Sequence, residues 1–150
     1  MEGRDFGREN ADSRRELAAL TARLDEHSFS QPVGSGWTTA GLLCHLAFWD
    51  QRVLHLLRQW QTGPLEPVRL SPQHVDSLNA AVKLLALAVP ATAAVRLALD
   101  SAEAVDAEVS RLTDDLVERM IAAGCERYLW RSIHRREHIR QIKEALEAGA

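Results

Sequence analysis

Residues 91–120 read ATAAVRLALDSAEAVDAEVSRLTDDLVERM, and the spacing of their apolar side chains decides the fold class. These side chains recur at intervals of three and four residues, which places them along one face of a helix. The apolar positions are Val95, Ala98, Ala102, Val105, Val109, Leu112, Leu116 and Met120. A stripe of this length is typical of a helix in a bundle, so the stretch predicts one long helix that ends before Gly124.

Elsewhere in the chain, apolar side chains at helical spacing predict three more long helices and one short helix. The long helices are expected over residues 8–27, 38–61 and 125–148, and the short one over residues 76–87. Thr38 is placed to cap the first turn of the second long helix, and Gly63 and Pro64 end that helix. With residues 91–120, these segments predict an all-α four-helix bundle that has a long connection between its second and third helices.

Composition and charge restrict the classes of protein to which the chain can belong. A length of 150 residues predicts a single domain over residues 1–150. The formal net charge is -3, which argues against a nucleic-acid partner because the surfaces that bind nucleic acids are normally basic. The longest apolar run, residues 84–89, is too short to span a bilayer. We therefore expect no membrane partner. The two cysteines form no motif, so we expect a cytoplasmic protein.

Three of the six histidines are spaced for metal binding. His134 and His138 are four residues apart, which places them on one face of the last predicted helix. A third ligand must come from another helix, and His45 lies at the flank of the apolar stripe of the second helix. Three imidazoles suit zinc or nickel first, with iron and copper as alternatives. They leave a coordination position for water or substrate.

Each of these histidines also has an ordinary structural interpretation. A buried imidazole is more often a hydrogen-bonded core residue than a ligand, and pairs one turn apart arise by chance on polar helix faces. His134, Glu137 and His138 also match an inverted zinc-protease signature, in which the glutamate would act as a general base. That interpretation requires an acidic ligand well downstream, and only twelve residues follow His138, so we set it aside.

Three stretches of the chain carry a family resemblance. Residues 36–50, GWTTAGLLCHLAFWD, contain a Trp-Thr pair, a His-Leu pair and a Trp-Asp pair in succession. Residues 75–79 read VDSLN, and the last predicted helix carries the two spaced histidines followed by Gln141 and Ile142. In this order the stretches resemble the DinB-like superfamily, which includes proteins similar to mycothiol-dependent maleylpyruvate isomerases. The resemblance extends over most of the chain.

The resemblance implies an up-up-down-down four-helix bundle, a metal held by His45, His134 and His138, and a homodimer. Some members of the superfamily have glutamate at the position of His134, whereas this chain has the all-histidine version. Members that use mycothiol or bacillithiol transfer or isomerise small molecules. The resemblance therefore implies a metal-dependent transferase or isomerase that combines a low-molecular-weight thiol with a small electrophile. The alternative is a non-catalytic metal-binding bundle with a structural or stress-response role.

Neighbours of the histidines on the last predicted helix are candidates for binding a substrate. Arg131 and Arg127 lie on the same side of the helix as His138, where they could hold a carboxylate or an anionic thiol. Tyr128 could donate a hydrogen bond to a metal-bound ligand. The ordinary interpretation makes these arginines, with Arg135, a solvated basic face and makes Tyr128 a packing residue.

The residues around His45 have different predicted roles. Trp37 and Trp49 are expected to pack beside the site. Asp50 is a candidate acceptor for orienting a ligand, although it lies about 140° from His45 around the helix. Cys44 points about 100° away from His45 and is left out of the site.

Overall fold

A computed structural model of the chain describes residues 5–149, which are almost entirely helical. The elements are α1 (Phe6–Ala22), α2 (Glu26–Ser30), β1 (Pro32–Gly34), β2 (Trp37–Thr38), α3 (Thr39–Thr62), α4 (Pro72–Ala86), α5 (Ala91–Arg111), α6 (Asp114–Ala122), α7 (Glu126–Leu129) and α8 (Arg131–Ala148). The all-α class is confirmed, with a small two-stranded sheet that the sequence did not predict. None of the helices in this part of the chain has the length and apolar character needed to cross a membrane.

The continuous helix predicted over residues 91–120 is wrong, because the chain leaves the helical conformation at Leu112. The backbone of Leu112 is extended, and α6 starts immediately afterwards. Thr113 caps α6, since its Oγ1 accepts a hydrogen bond from the backbone N of Leu116 at 3.2 Å. Leu112 and Leu116 are both buried despite the break. The apolar spacing therefore continues across the interruption and conceals it.

Two other predicted helices are also divided. The helix expected over residues 8–27 becomes α1 and α2, because Asp25 caps α2 by accepting a hydrogen bond from the backbone N of Ser28 at 2.8 Å. The helix expected over residues 125–148 becomes α7 and α8, which meet at the non-helical backbone of Trp130. The short helix expected over residues 76–87 is present as α4, which begins earlier than predicted.

The start of α3 depends on the hairpin that precedes it. Strands β1 and β2 pair antiparallel. Gly34 at the end of β1, and Ser35 and Gly36 in the turn that follows, have positive φ. Two of these three positions are glycine, the residue that adopts positive φ without a steric penalty. The hairpin leads into Thr38, whose Oγ1 accepts a hydrogen bond from the backbone N of Gly41 at 3.0 Å. The predicted cap of this helix is confirmed.

The four long helices α1, α3, α5 and α8 pack against one another. Helix α3 contacts α5 and α8, and α1 contacts the same two helices, while α4 lies against α3. Two groups of buried apolar side chains fill the interior, one around Leu17 and Leu43 and the other around Leu57 and Met120. Burial of each such side chain stabilises the fold by about 1.5–3 kcal/mol. This packing holds α3 and α8, the helices that carry the candidate ligands, side by side.

Candidate metal centre

The side chains of His45, His134 and His138 converge between α3 and α8. Each offers one ring nitrogen, and the three nitrogens lie within 4.8 Å of one another. The ring centroids of His134 and His138 are 4.6 Å apart. The ring centroid of His45 lies 5.3 Å from that of His134 and 4.8 Å from that of His138. The structure therefore brings together the three residues that the sequence singled out, although they are separated by up to 93 positions in the chain.

The orientation of His138 is set by Gln141, which lies one turn further along α8. With Oε1 of Gln141 as the acceptor, Nδ1 of His138 is the donor, at 2.8 Å. Nε2 of His138 then carries the lone pair, which accepts a hydrogen bond from Nε2 of His134 at 3.0 Å. Gln141 was part of the family resemblance but had no predicted role. Its spacing of three residues from His138 is the signal that could have predicted the contact.

Two ring nitrogens of the cluster are buried and have no hydrogen-bond partner among residues 5–149. They are Nδ1 of His45 and Nδ1 of His134. A buried polar atom without a partner costs about 1–3 kcal/mol, so native proteins leave few of them. Neutral imidazole nitrogens from three histidines that lie within 4.8 Å of one another are also the donors that late first-row divalent metals prefer. The residues present therefore fit a divalent metal ion.

Burial keeps the three imidazoles neutral at physiological pH. It lowers the pKa of His45 to about 4 and that of His134 to about 2, and in both cases the neighbouring His138 lowers the pKa further. Burial also lowers the pKa of His138. A histidine binds a metal only in its neutral form. The cluster is thus in the protonation state that metal binding requires.

The histidines form part of the wall of a cleft of about 790 Å³, a volume typical of small-molecule sites. The rings of Trp37 and Trp49 contact the ring of His45 edge-on, with centroids 5.4 Å and 6.4 Å away, which confirms their predicted place beside the site. Trp49 is held by Asn79 of α4, since its Nε1 donates a hydrogen bond to Oδ1 of that residue at 2.9 Å. Asn79 belongs to the VDSLN stretch, which the resemblance placed between the second and third long helices.

Two of the three arginines in the predicted basic face are not solvated. Arg131 is only 6% exposed and Arg135 is fully buried. The Nε of Arg131 donates to Oδ1 of Asp50 at 2.9 Å, and Nη2 of Arg135 lies 3.4 Å from Oδ2 of the same carboxylate. The hydrogen bonds of Asp50 therefore run to arginines. Its predicted role as an acceptor that orients a histidine is wrong. Arg131 still borders the cleft, but part of its guanidinium is already bound.

The other two candidate substrate-binding residues, Arg127 and Tyr128, also line the cleft. The side chain of Arg127 is exposed. The hydroxyl of Tyr128 donates to the backbone O of Val68 at 3.4 Å, and its ring centroid lies 5.6 Å from that of Trp60. Tyr128 is therefore partly a packing residue, as the ordinary interpretation expected, while one edge of it faces the cleft.

The sequence interpretation missed two more arginines of the cleft, Arg52 and Arg69. Arg52 follows His45 by about two helical turns, a spacing that could have identified it. Its guanidinium lies 5.7 Å from the ring centroid of Trp49. Arg69 lies in the connection between α3 and α4, where no helical spacing applies. Among the described residues that line the cleft, Glu137 is the only acidic one, so the cleft carries a net positive charge.

Both cysteines are buried. Cys44 lies in the apolar core despite its position next to His45, in agreement with its exclusion from the site. Cys125 borders the cleft but is only 4% exposed. Burial raises the pKa of both thiols, although Arg69 opposes the shift at Cys125.

The fold and the site together define an all-α protein with a three-histidine cluster in a positively charged cleft. Residues 11–140 match the family model described as mycothiol maleylpyruvate isomerase N-terminal domain. The chain belongs to this family, a DinB-like one, and the resemblance found in its sequence is confirmed. No curated protein and no solved structure matches the chain.

Proposed function

We propose that the protein is a metal-dependent enzyme that uses a low-molecular-weight thiol. It either transfers the thiol to a small electrophile or isomerises the electrophile with the help of the thiol. The observation that carries this proposal is the convergence of three neutral imidazoles on the wall of an open cleft. Three protein ligands with accessible space beside them are typical of catalytic metal sites, whereas structural zinc sites have four. Membership of a family named for a mycothiol isomerase domain supports the thiol.

His45, His134 and His138 would hold the ion, with zinc or nickel first and iron or copper as alternatives. A divalent ion supplies Lewis acidity and lowers the pKa of a thiol or water bound to it. The protein's own contribution is to keep the three imidazoles neutral by burial and to orient them. Gln141 does this for His138 by holding the proton on Nδ1, which directs the Nε2 lone pair toward the cluster.

The remaining residues of the cleft would bind and orient the reactants. Arg127, with Arg52 and Arg69, supplies positive charge that attracts a carboxylate or an anionic thiol. Arg131 would add a guanidinium that Asp50 already holds in place. The long hydrogen bond of Tyr128 leaves its hydroxyl able to turn toward a bound ligand.

The proposal includes the up-up-down-down order of the four long helices. The contacts support it, because α1 and α3 each pack on α5 and α8, so that α1 and α3 occupy diagonal corners. In the up-up-down-down order, α1 and α3 would be parallel to each other. Each would then be antiparallel to both of its neighbours, α5 and α8. The single domain over residues 1–150, the homodimer and the cytoplasmic location remain predictions, and sedimentation of the purified chain tests the homodimer.

Elemental analysis of protein purified without an affinity tag tests the site. We expect a divalent ion bound to each chain, and loss of that ion in His45→Ala and His138→Ala. His55→Ala is the matched control, because His55 lies on α3 like His45 but is exposed. Metal in the control and in the wild type, with none in the two site variants, is the expected pattern. Retention of the metal in both site variants would contradict the proposal.

Turnover assays then separate the enzyme from the non-catalytic metal-binding bundle. The metal-loaded protein is combined with mycothiol or bacillithiol and a small electrophile that carries a carboxylate. We expect consumption of the electrophile that depends on both the metal and the thiol. Full metal loading without turnover with any bacterial thiol would favour the structural alternative, which also predicts that chelation lowers the melting temperature strongly.

A further inference from the structure

We propose that Asp50, acting through two arginines of α8, sets the distance and the relative rotation of α3 and α8. It thereby positions the ligand histidine of α3 relative to the two ligand histidines of α8. Asp50 is a positioning residue, because its hydrogen bonds run to the arginines and not to an imidazole. The proposal rests on the metal site proposed above, and it assigns a role to the buried ion pairs that lie behind that site.

The carboxylate of Asp50 holds α8 at two points. Oδ1 accepts a hydrogen bond from Nε of Arg131 at 2.9 Å, and Oδ2 lies 3.4 Å from Nη2 of Arg135. The two arginines are four residues apart and therefore occupy successive turns of α8. Asp50 is 1% exposed, so water does not weaken these interactions. A single side chain of α3 thus fixes both the position of α8 along its axis and the rotation of α8 about that axis.

The histidines occupy the same stretch of α8 as the arginines. His134 lies three residues after Arg131 and directly before Arg135, and His138 follows Arg135 by three residues. On α3, Asp50 is five residues beyond the ligand histidine and about 140° around the helix. On α8, Arg131 lies about 20° from His138 around the helix and borders the cleft, whereas Arg135 is turned toward the interior. The Asp50–Arg135 pair therefore lies on a different face of α8 from the imidazoles. Contacts on two different faces determine the relative rotation of two helices, which contacts on a single face do not.

Arg135 also anchors α8 to helices that carry no ligand. Asp106 of α5 accepts two hydrogen bonds from its guanidinium, at 2.7 Å and 2.9 Å. On α1, the backbone O of Asn10 and Oγ of Ser13 accept two more, at 3.1 Å and 3.2 Å. Loss of Asp50 would therefore loosen α8 from α3 and leave its anchors on α1 and α5 in place. Loss of Asp106 would loosen α8 from α5 and leave its contacts with α3 and α1 in place.

This difference makes Asp106→Asn a matched control for Asp50→Asn. Both aspartates are largely buried, both bind Arg135, and each substitution removes one negative charge from a cluster of two carboxylates and two buried guanidiniums. Both variants leave a buried positive charge partly uncompensated, so both should lower stability. A role restricted to stability predicts the same effect on metal binding in the two variants, whereas positioning predicts an effect in Asp50→Asn alone.

The experiment titrates each full-length variant with Co²⁺ and Zn²⁺, and records the Co²⁺ absorption bands, which report the ligand geometry. We expect Asp50→Asn to bind both ions about 10- to 100-fold more weakly, and Asp106→Asn to stay within about threefold of the wild type. At saturation, the Co²⁺ bands of Asp50→Asn should differ from those of the wild type, while those of Asp106→Asn should coincide with them. Urea unfolding should be shifted to lower urea concentrations in both variants.

Unchanged affinity and bands in Asp50→Asn would overturn the proposal. Weaker binding with unchanged bands would also overturn it, since lost charge alone would then account for the effect. If Asp50→Asn does not fold, Asp50→Glu takes its place, because the longer side chain keeps the charge but alters the spacing of α3 and α8. Unchanged bands in that variant would again contradict positioning. If the wild type itself binds neither ion, the proposed metal site fails, and the two failures are thereby distinguished.

Discussion

The two sides of α8 treat buried polar groups in opposite ways. On the cleft side, His134 leaves a buried ring nitrogen without a partner in the described part of the chain, and burial removes its charge. On the interior side, Arg135 is even more buried, yet its guanidinium binds two carboxylates. One helix therefore carries an incomplete set of donors next to a nearly complete ion-pair network. Nε of Arg135 is also buried without a hydrogen-bond partner in the described residues, but it can only donate a hydrogen bond. The comparison teaches that a ligand site is marked by buried nitrogens that can offer a lone pair, and not by burial alone.

The largest expected effect comes from breaking the interior side. Arg135→Leu leaves Asp106 without its main partner, so the free energy of unfolding should fall by about 3–5 kcal/mol. Arg140→Gln is the control on the same helix, because Arg140 pairs with Glu144 at the surface and should cost at most about 0.5 kcal/mol. Urea denaturation of both variants measures the difference. Equal losses in the two variants would remove the contrast between the two sides of α8.

The cleft side should respond in the reverse manner. His45→Leu removes an imidazole whose buried Nδ1 has no partner in the described structure, so the metal-free protein should change in stability by no more than about 1 kcal/mol. Metal affinity should fall by more than about 100-fold, since a ligand has been lost. Denaturation of the metal-free protein and a Zn²⁺ competition titration measure the two quantities. A large loss of stability with little change in affinity would mean that His45 is a structural core residue.

Acid should destabilise the metal-free protein through the same histidines. The pKa of His45 is about 4 in the folded protein and 6.5 in an unperturbed state, so below pH 6.5 the unfolded chain takes up a proton that the folded chain does not. Stability should therefore decrease as the pH falls from about 6.5 toward 5, by up to about 1.4 kcal/mol per pH unit for each such histidine. Urea denaturation at several pH values measures the slope. The slope should be smaller in His45→Leu, and an identical slope would contradict the assignment.

The smallest effect is expected from the hydrogen bond that orients His138. Gln141→Leu removes the acceptor of the Nδ1 proton, so metal affinity should fall about 10-fold while the fold persists. Lys143→Gln, an exposed change two residues further along α8, is the control and should leave affinity unchanged. Competition titration with Zn²⁺ compares the two variants. No difference between them would show that ring orientation does not depend on Gln141.

Helical periodicity was sufficient to predict the fold class and to select the three histidines. The pair on α8 follows from a spacing of four residues, and the third ligand follows from its place at the flank of a buried stripe. The interruptions at Thr113 and Asp25 were missed because capping depends on one hydroxyl or carboxylate, while the apolar spacing continues through the break. Periodicity reports which face is buried and not where a helix stops.

The burial of Arg131 and Arg135 could not be predicted from α8 alone. An arginine is normally exposed, and these two are buried only because Asp50 lies more than 80 positions earlier in the chain and Asp106 lies on a third helix. No local pattern links residues so far apart. For the same reason the position of Arg69 in the cleft follows from the path of the α3–α4 connection and not from any spacing.

The burial of Cys44 and Cys125 has a consequence for the proposed chemistry with an electrophile. Alkylating agents attack the thiolate, and both cysteines have their pKa raised by burial, so little thiolate is present at neutral pH. Cys125 borders the very cleft in which an electrophile would be held. With the proposed function, its low exposure would protect the chain from alkylation, and an added small thiol would be the most reactive sulfur in that space.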